Sequence, residues 1–209
     1  MSSLLLCIDA DHLSPWALCA HVALREKGLP FELRTLNLDA GEQHADDYRD
    51  ASVTGRVPAL CVDGRFWLAE STAIVEYLEE RFAPPQYAAL LPRDLEQRAR
   101  ARQVQAWIRS DLLALRKERS TEVVFRGARG AALSRDAQQA ADKLVSAATR
   151  LLAHGGKFLF GDWCIADVDL AVMLQRLLQH GDALPAPLRA YAEAQWQRPS
   201  VAEWVRQPR

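Results

Sequence analysis

Residues 59–68 read as two short apolar runs on either side of Asp63-Gly64, a dipeptide that closes tight hairpins because its residues accept positive φ at small cost. This hairpin, roughly 59–62 and 66–68, is the feature that most limits the fold, because the strands before it are of another kind. SLLLCI, residues 3–8, is a short buried strand. Ser14-Pro15 then supplies an N-cap followed by proline at the first helical position. Leu18, Cys19, Val22 and Ala23 recur at helical spacing, and Lys27-Gly28 stops the helix. FELRTLNL, 31–38, is a second strand, so this stretch predicts a parallel βαβ unit. Residues 39–55 are polar and irregular, with weak helical potential. A helix from about Ser71 to Phe82 follows the hairpin, with Ile74, Tyr77, Leu78 and Phe82 on one face. The first part of the chain is therefore a small mixed α/β domain in the order βαβ-α-ββα.

The texture then changes. APPQYAALLPRD, residues 83–94, carries three prolines and no clear period, which is the composition of a linker. Beyond it the pattern is helical. Val104, Trp107, Ile108, Leu112 and Leu115 form one stripe on a long helix over about 94–119, and further helices are predicted over 135–154, 166–180 and 186–196, before VAEWV. The fold class is α/β plus all-α: a first domain over 1–83, a linker over 84–93 and an all-α domain over 94–209. The basic run RARAR, 98–102, lies among Asp94, Glu96 and Asp111 and reads as a solvated helix face.

Composition excludes several classes. Net charge is −1, so there is no global field to attract nucleic acid or anionic lipid, and no apolar run approaches membrane-spanning length. MSSLLLCIDADHL lacks the basic region of a signal peptide, so a cytoplasmic protein is expected. Cys7, Cys19, Cys61 and Cys164 are far apart and form no C-x-x-C pair, which indicates neither a metal site nor a dithiol. Buried free thiols are the simpler reading.

Three places carry residues with chemical potential. Val57-Pro58 heads the hairpin. A cis bond there would turn the main chain of Val57 outward, able to grip an extended peptide as a neighbouring strand would, although a plain strand-edge proline satisfies the pattern too. Glu70-Ser71 opens the next helix. Ser71 is a natural N-cap, the helix start suits a carboxylate, and Glu70 suits an ammonium; together they match an α-amino acid head. Ser14 caps the first helix and offers a hydroxyl to a thiolate. Lowering a thiol pKa by two units requires about 2.7 kcal/mol. A hydrogen bond to a charged acceptor supplies roughly 1.5–3 kcal/mol, and the helix end about 0.3–1.

Ser14-Pro15 after the first strand, Arg56-Val57-Pro58-Ala59-Leu60 before the hairpin, and Glu70-Ser71 at the next helix together resemble the glutathione S-transferases of the serine type. QAWIRSDL, EVVFRGA and GDWCIADVDLAV resemble the bacterial YfcF-like group in particular. The resemblance implies a thioredoxin-like N-terminal domain, a C-terminal helical-bundle domain, glutathione as co-substrate, no metal, and a homodimer. By it Ser14 would bond the glutathione sulfur, Val57 would pair with the cysteinyl unit beside a cis Pro58, and Glu70 and Ser71 would hold the γ-glutamyl head. Gln43, His44 and Arg56 are candidates for the glycine carboxylate. Trp16, Trp107 and Phe125 would line the pocket of a small apolar electrophile. The implied activity is glutathione transfer, with peroxide reduction beside it; the alternatives are a binding module without turnover and a glutathione-dependent isomerase. One departure stands out: where the family has Ser or Thr opening a capping box on a core helix, this chain reads Cys164-Ile165-Ala166-Asp167, and cysteine is a poor cap acceptor.

Overall fold

The computed structural model describes residues 2–208, which form two compact units. One runs through Leu90 and includes the residues from Arg206 onward; the other is Leu91–Val205. In the first unit β1 (Leu4–Asp9), β2 (Glu32–Leu36), β3 (Ala59–Val62) and β4 (Phe66–Ala69) make a sheet of order β2-β1-β3-β4. β2 is parallel to β1 through the crossover helix α1 (Pro15–Glu26), and β3 and β4 are antiparallel. α3 (Ser71–Arg81) packs beside α1. Between β2 and β3 lie a 3-10 turn (Glu42–His44) and α2 (Asp46–Ser52). Strand side chains alternate between faces, and Cys7, Ala59 and Ala69 share a buried cluster with Leu36 and with Tyr48 of α2. β2 is shorter than the 31–38 read from sequence, and its residues up to Thr35 are exposed, as befits an edge strand.

Lys27 closes this unit. Its ammonium is buried and donates to Glu79 (2.8 Å), to the Phe82 carbonyl (2.7 Å) and to the Ala88 carbonyl (2.9 Å). The Leu90 N–H donates to the same Glu79 carboxylate (3.0 Å), and Phe82 meets Tyr87 edge to face. Within the proline-bearing stretch Leu90 and Leu91 are buried, and Ala88 and Leu90 are tied to Lys27 and Glu79.

The second unit is helical: α4 (Leu95–Ser110), α5 (Leu113–Glu118), α6 (Thr121–Arg126), α7 (Arg135–Leu151), α8 (Ile165–His180), α9 (Ala186–Trp196) and α10 (Pro199–Val205). Asp94 and Ser134 cap α4 and α7 by accepting the N–H of Gln97 and of Ala137. Every residue of α8 from Ile165 to Leu177 is buried, so it is the axis of the unit, with α4, α6, α7 and α9 against it. At its start the Cys164 N–H donates to Asp167 (2.9 Å), whose carboxylate also takes the Leu159 N–H (2.9 Å) and the Tyr191 hydroxyl (2.8 Å).

The long helix expected over 94–119 is a correction. It breaks at Asp111, whose carboxylate takes the Leu112 N–H (2.7 Å), and Leu112 follows at φ +61°. Helix α6 had no counterpart in the sequence reading. Ser71 is also corrected: it is the first helical residue, and Glu70 holds the cap position without a side-chain bond.

Candidate active site at the carboxyl end of strand β1

The sheet register gathers the candidate residues. Asp9, the last residue of β1, lies opposite Leu36, the last of β2. Cys7, two residues back, lies opposite Ala59, the first of β3, and Ala59 lies opposite Ala69, the last of β4. One end of the sheet therefore carries the β1–α1 loop with Ser14, the entry to β3 with Val57-Pro58, the β4–α3 junction with Glu70-Ser71, and the start of the segment bearing Gln43 and His44. Residues as far apart in sequence as Ser14 and Ser71 are brought together by pairing alone.

Asp9 shapes the loop before Ser14. Its carboxylate is 4% exposed and accepts the N–H of Leu13 (2.5 Å) and of Ser14 (3.2 Å to each oxygen). Ser14 then caps α1: its Oγ accepts the Ala17 N–H at 3.2 Å, which leaves the hydroxyl proton as a donor. The sequence reading passed over Asp9. The available signal was an acidic side chain ending a strand five residues before a helix cap, the reach of a local side-chain-to-backbone bond.

The Val57–Pro58 peptide is cis. Neither the N–H nor the C=O of Val57 bonds another main-chain group among the described residues, since the ladder begins at Ala59. Arg56 just before it has its carbonyl held by the Tyr48 hydroxyl at 2.7 Å. Glu70 adopts φ +68°, ψ 115°, a region that costs a non-glycine residue about 1–3 kcal/mol. Its carboxylate is exposed and has no ion-pair partner among the described residues, while Ser71 beside it is 3% exposed. Helix α3 presents its first N–H groups here. Gln43 and His44 bond each other (3.1 Å), and Gln43 Oε1 is buried without a partner. A Cβ on Gly55 would meet the Gln43 carbonyl at 3.5 Å, so this turn lies against the segment that leads to Arg56.

Burial pushes the Cys7 thiol up to about 11, and Cys19, Cys61 and Cys164 are buried and form no disulfide among the described residues. Burial beside Asp167 holds the Cys164 thiol far above its ordinary value. Among the described residues no cluster of His, Cys, Asp and Glu has metal-binding geometry, and no helix is long and apolar enough to cross a membrane.

The three aromatic candidates lie on different elements. Trp16, half-buried, is the second residue of α1. In the helical unit Trp107 donates to Asp111 (2.9 Å) and borders a groove with Arg100, Val104, Lys143 and Ala147, whereas Phe125 stacks on Trp196 at 6.0 Å between ring centres. Trp107 and Phe125 therefore look onto different surroundings.

Comparison with known proteins gives a consistent picture. Residues 13–81 match the glutathione S-transferase N-terminal domain model, and residues 94–207 match the glutathione S-transferase C-terminal domain model. The crystal structure of a glutathione transferase homologue from Burkholderia GL BGR1, with bound glutathione, is 46% identical, covers 98% of this chain and 97% of that chain, and superposes with a TM-score of 0.82. Glutathione S-transferase theta-3 of Mus musculus is 37% identical over 97 residues, 46% of this chain and 39% of that protein. Maleylacetoacetate isomerase of Pseudomonas aeruginosa is 44% identical over 93 residues, 44% of this chain and 42% of that protein. The chain thus aligns with about two fifths of the length of these curated relatives.

Proposed function

This chain belongs to the glutathione S-transferase family, and from that premise we propose that it binds glutathione at the carboxyl end of β1 and directs its sulfur at a small electrophile. The single observation that carries the reading is the register that brings Ser14, Val57-Pro58 and Glu70-Ser71 to one end of the sheet. Each of these places offers a group that glutathione needs. The Ser14 hydroxyl has its oxygen engaged by Ala17 and its proton to give, which suits a sulfur anion. The unpaired main chain of Val57 suits the cysteinyl amide. The Glu70 carboxylate suits an ammonium, and Ser71 with the first N–H groups of α3 suits the carboxylate next to it. The buried, unpartnered Gln43 Oε1, bonded through its amide to His44 and lying on the turn that meets the segment leading to Arg56, suits the far end of the tripeptide.

Bound glutathione supplies the nucleophilic sulfur. Ser14 holds that sulfur as an anion by donating its proton, and the α1 terminus adds its positive potential. Asp9 opposes them, because its carboxylate lies under the same loop; the N–H groups of Leu13 and Ser14 offset part of that charge. The reading is tested by titrating the ultraviolet absorbance of protein-bound glutathione with pH. A thiolate signal well below the free thiol's range, shifted up in Ser14→Ala, supports it. Glutathione bound as a thiol at neutral pH in the wild type overturns it.

The likeness to a maleylacetoacetate isomerase favours a second reading, in which glutathione adds to a substrate and leaves again. Product analysis separates the two: transfer consumes glutathione in proportion to product, and isomerisation consumes none.

A further inference from the structure

Four arginines meet in the helical unit: Arg109 at the end of α4, Arg116 in α5, Arg119 at its cap and Arg176 in α8. Two aspartates answer them. Asp169 takes Arg109 Nη2 (3.0 Å) on one oxygen and Gln105 Nε2 (2.8 Å) on the other. Asp182 takes Arg119 through both oxygens (2.6 and 2.9 Å) and meets His180 as well. The other nearby acids are committed elsewhere: Asp111 to Trp107 and Lys143, Glu118 to Ser134. Arg116 and Arg176 are left without a carboxylate among the described residues.

Each of the two gives one N–H to a main-chain carbonyl: Arg176 Nη1 to Arg119 (2.6 Å) and Arg116 Nη2 to Arg109 (3.2 Å). The Nε of each is buried and has no acceptor. Arg176 is 3% exposed, and burial together with the Arg116 charge pushes it down to about 10. Like charges placed together out of water need a counter-charge. The free Nε edge of a guanidinium is a planar fork that fits two carboxylate oxygens.

We propose that Arg176 and Arg116 form a binding site for the carboxylate of a small organic acid. Arg176 receives the carboxylate on its Nε edge, and Arg116, half-buried, completes the neutralisation from α5. The site stands on the helical unit alone and does not depend on how Ser14 is used.

Thermal melting of the full chain at fixed ionic strength, with sodium acetate exchanged for sodium chloride, tests this. The wild type melts at a temperature that rises with acetate and saturates. Arg176→Met removes the uncompensated charge, so in chloride it melts above the wild type, and acetate no longer raises its Tm. Should Arg176→Met fail to fold because the Arg119 carbonyl loses its donor, Arg116→Leu gives the second readout, an acetate-dependent rise reduced by at least half. The proposal is overturned by a wild-type Tm that ignores acetate, by an equal rise when chloride alone is increased, or by a rise that persists in the variants.

Discussion

Ser14 commits its oxygen to the Ala17 N–H and keeps its proton, and Asp9 accepts the Ser14 main-chain N–H. Two variants separate these roles. Ser14→Ala should raise the pKa of bound glutathione by about 1–2 units, the equivalent of one hydrogen bond to a charged acceptor. It should also lower stability by about 1 kcal/mol through the lost cap, measured by urea unfolding. Asp9→Asn keeps an acceptor for the loop but removes a negative charge, so the same titration should move in the opposite direction, to a lower thiol pKa. Ser14 was legible because a capping hydroxyl followed by proline is a local pattern. Asp9 was not, because its partners are main-chain groups that come within reach only after the loop has turned. Glu70 shows the same limit: no residue type announces that a glutamate will sit at φ +68°, and that geometry displaces Ser71 from the cap to the first helical position.

Elements were readable as far as burial follows periodicity. The stripe from Val104 to Leu115 suggested one helix because Ile108, Leu112 and Leu115 all enter the same core. Period reports which side is buried, and it is blind to an Asp111 carboxylate that captures the next N–H and ends the helix. The start of α8 is the reverse case, since the capping-box spacing was plain with cysteine in the hydroxyl's place. The carboxylate half of that box is made (Cys164 N–H to Asp167), and sulfur, a weak acceptor, holds the other place. Cys164→Ser should therefore raise stability, by about 0.5–1 kcal/mol in urea unfolding. Arg119 and Asp182 join the cap of α5 to the end of α8, with the Arg119 side chain 1% exposed. Asp182→Asn leaves that cation buried without its carboxylate partner and should cost about 3 kcal/mol. Its bond to Arg119 holds the Asp182 carboxyl below its ordinary range. The bridge's contribution is thus complete above about pH 4, where an unfolded aspartate is ionised, and is lost as pH falls through the lower folded value. Acid unfolding of Asp182→Asn should accordingly be shallower below pH 4 than that of the wild type.

At the scale of the molecule, the proline-bearing stretch 83–94 and the helical pattern beyond it announced the α/β and all-α parts, and the order of strand, helix and hairpin announced the mixed sheet. The register was out of reach, because no short stretch of sequence states that Ala59 pairs with both Cys7 and Ala69. Phe66, 45% exposed on the edge strand β4 and against Tyr77, is an apolar surface that association would cover. Light scattering should give twice the chain mass of 23.4 kDa; a single-chain mass would remove the homodimer. Lys27 has a practical corollary. The sequence holds four lysines, and the other three, Lys117, Lys143 and Lys157, are exposed in the helical unit. An amine-reactive label will mark those at once and reach Lys27 only when its bonds to Glu79, Phe82 and Ala88 open together. The ratio of fast to slow acylation is therefore a built-in clock for the breathing of the sheet-bearing unit.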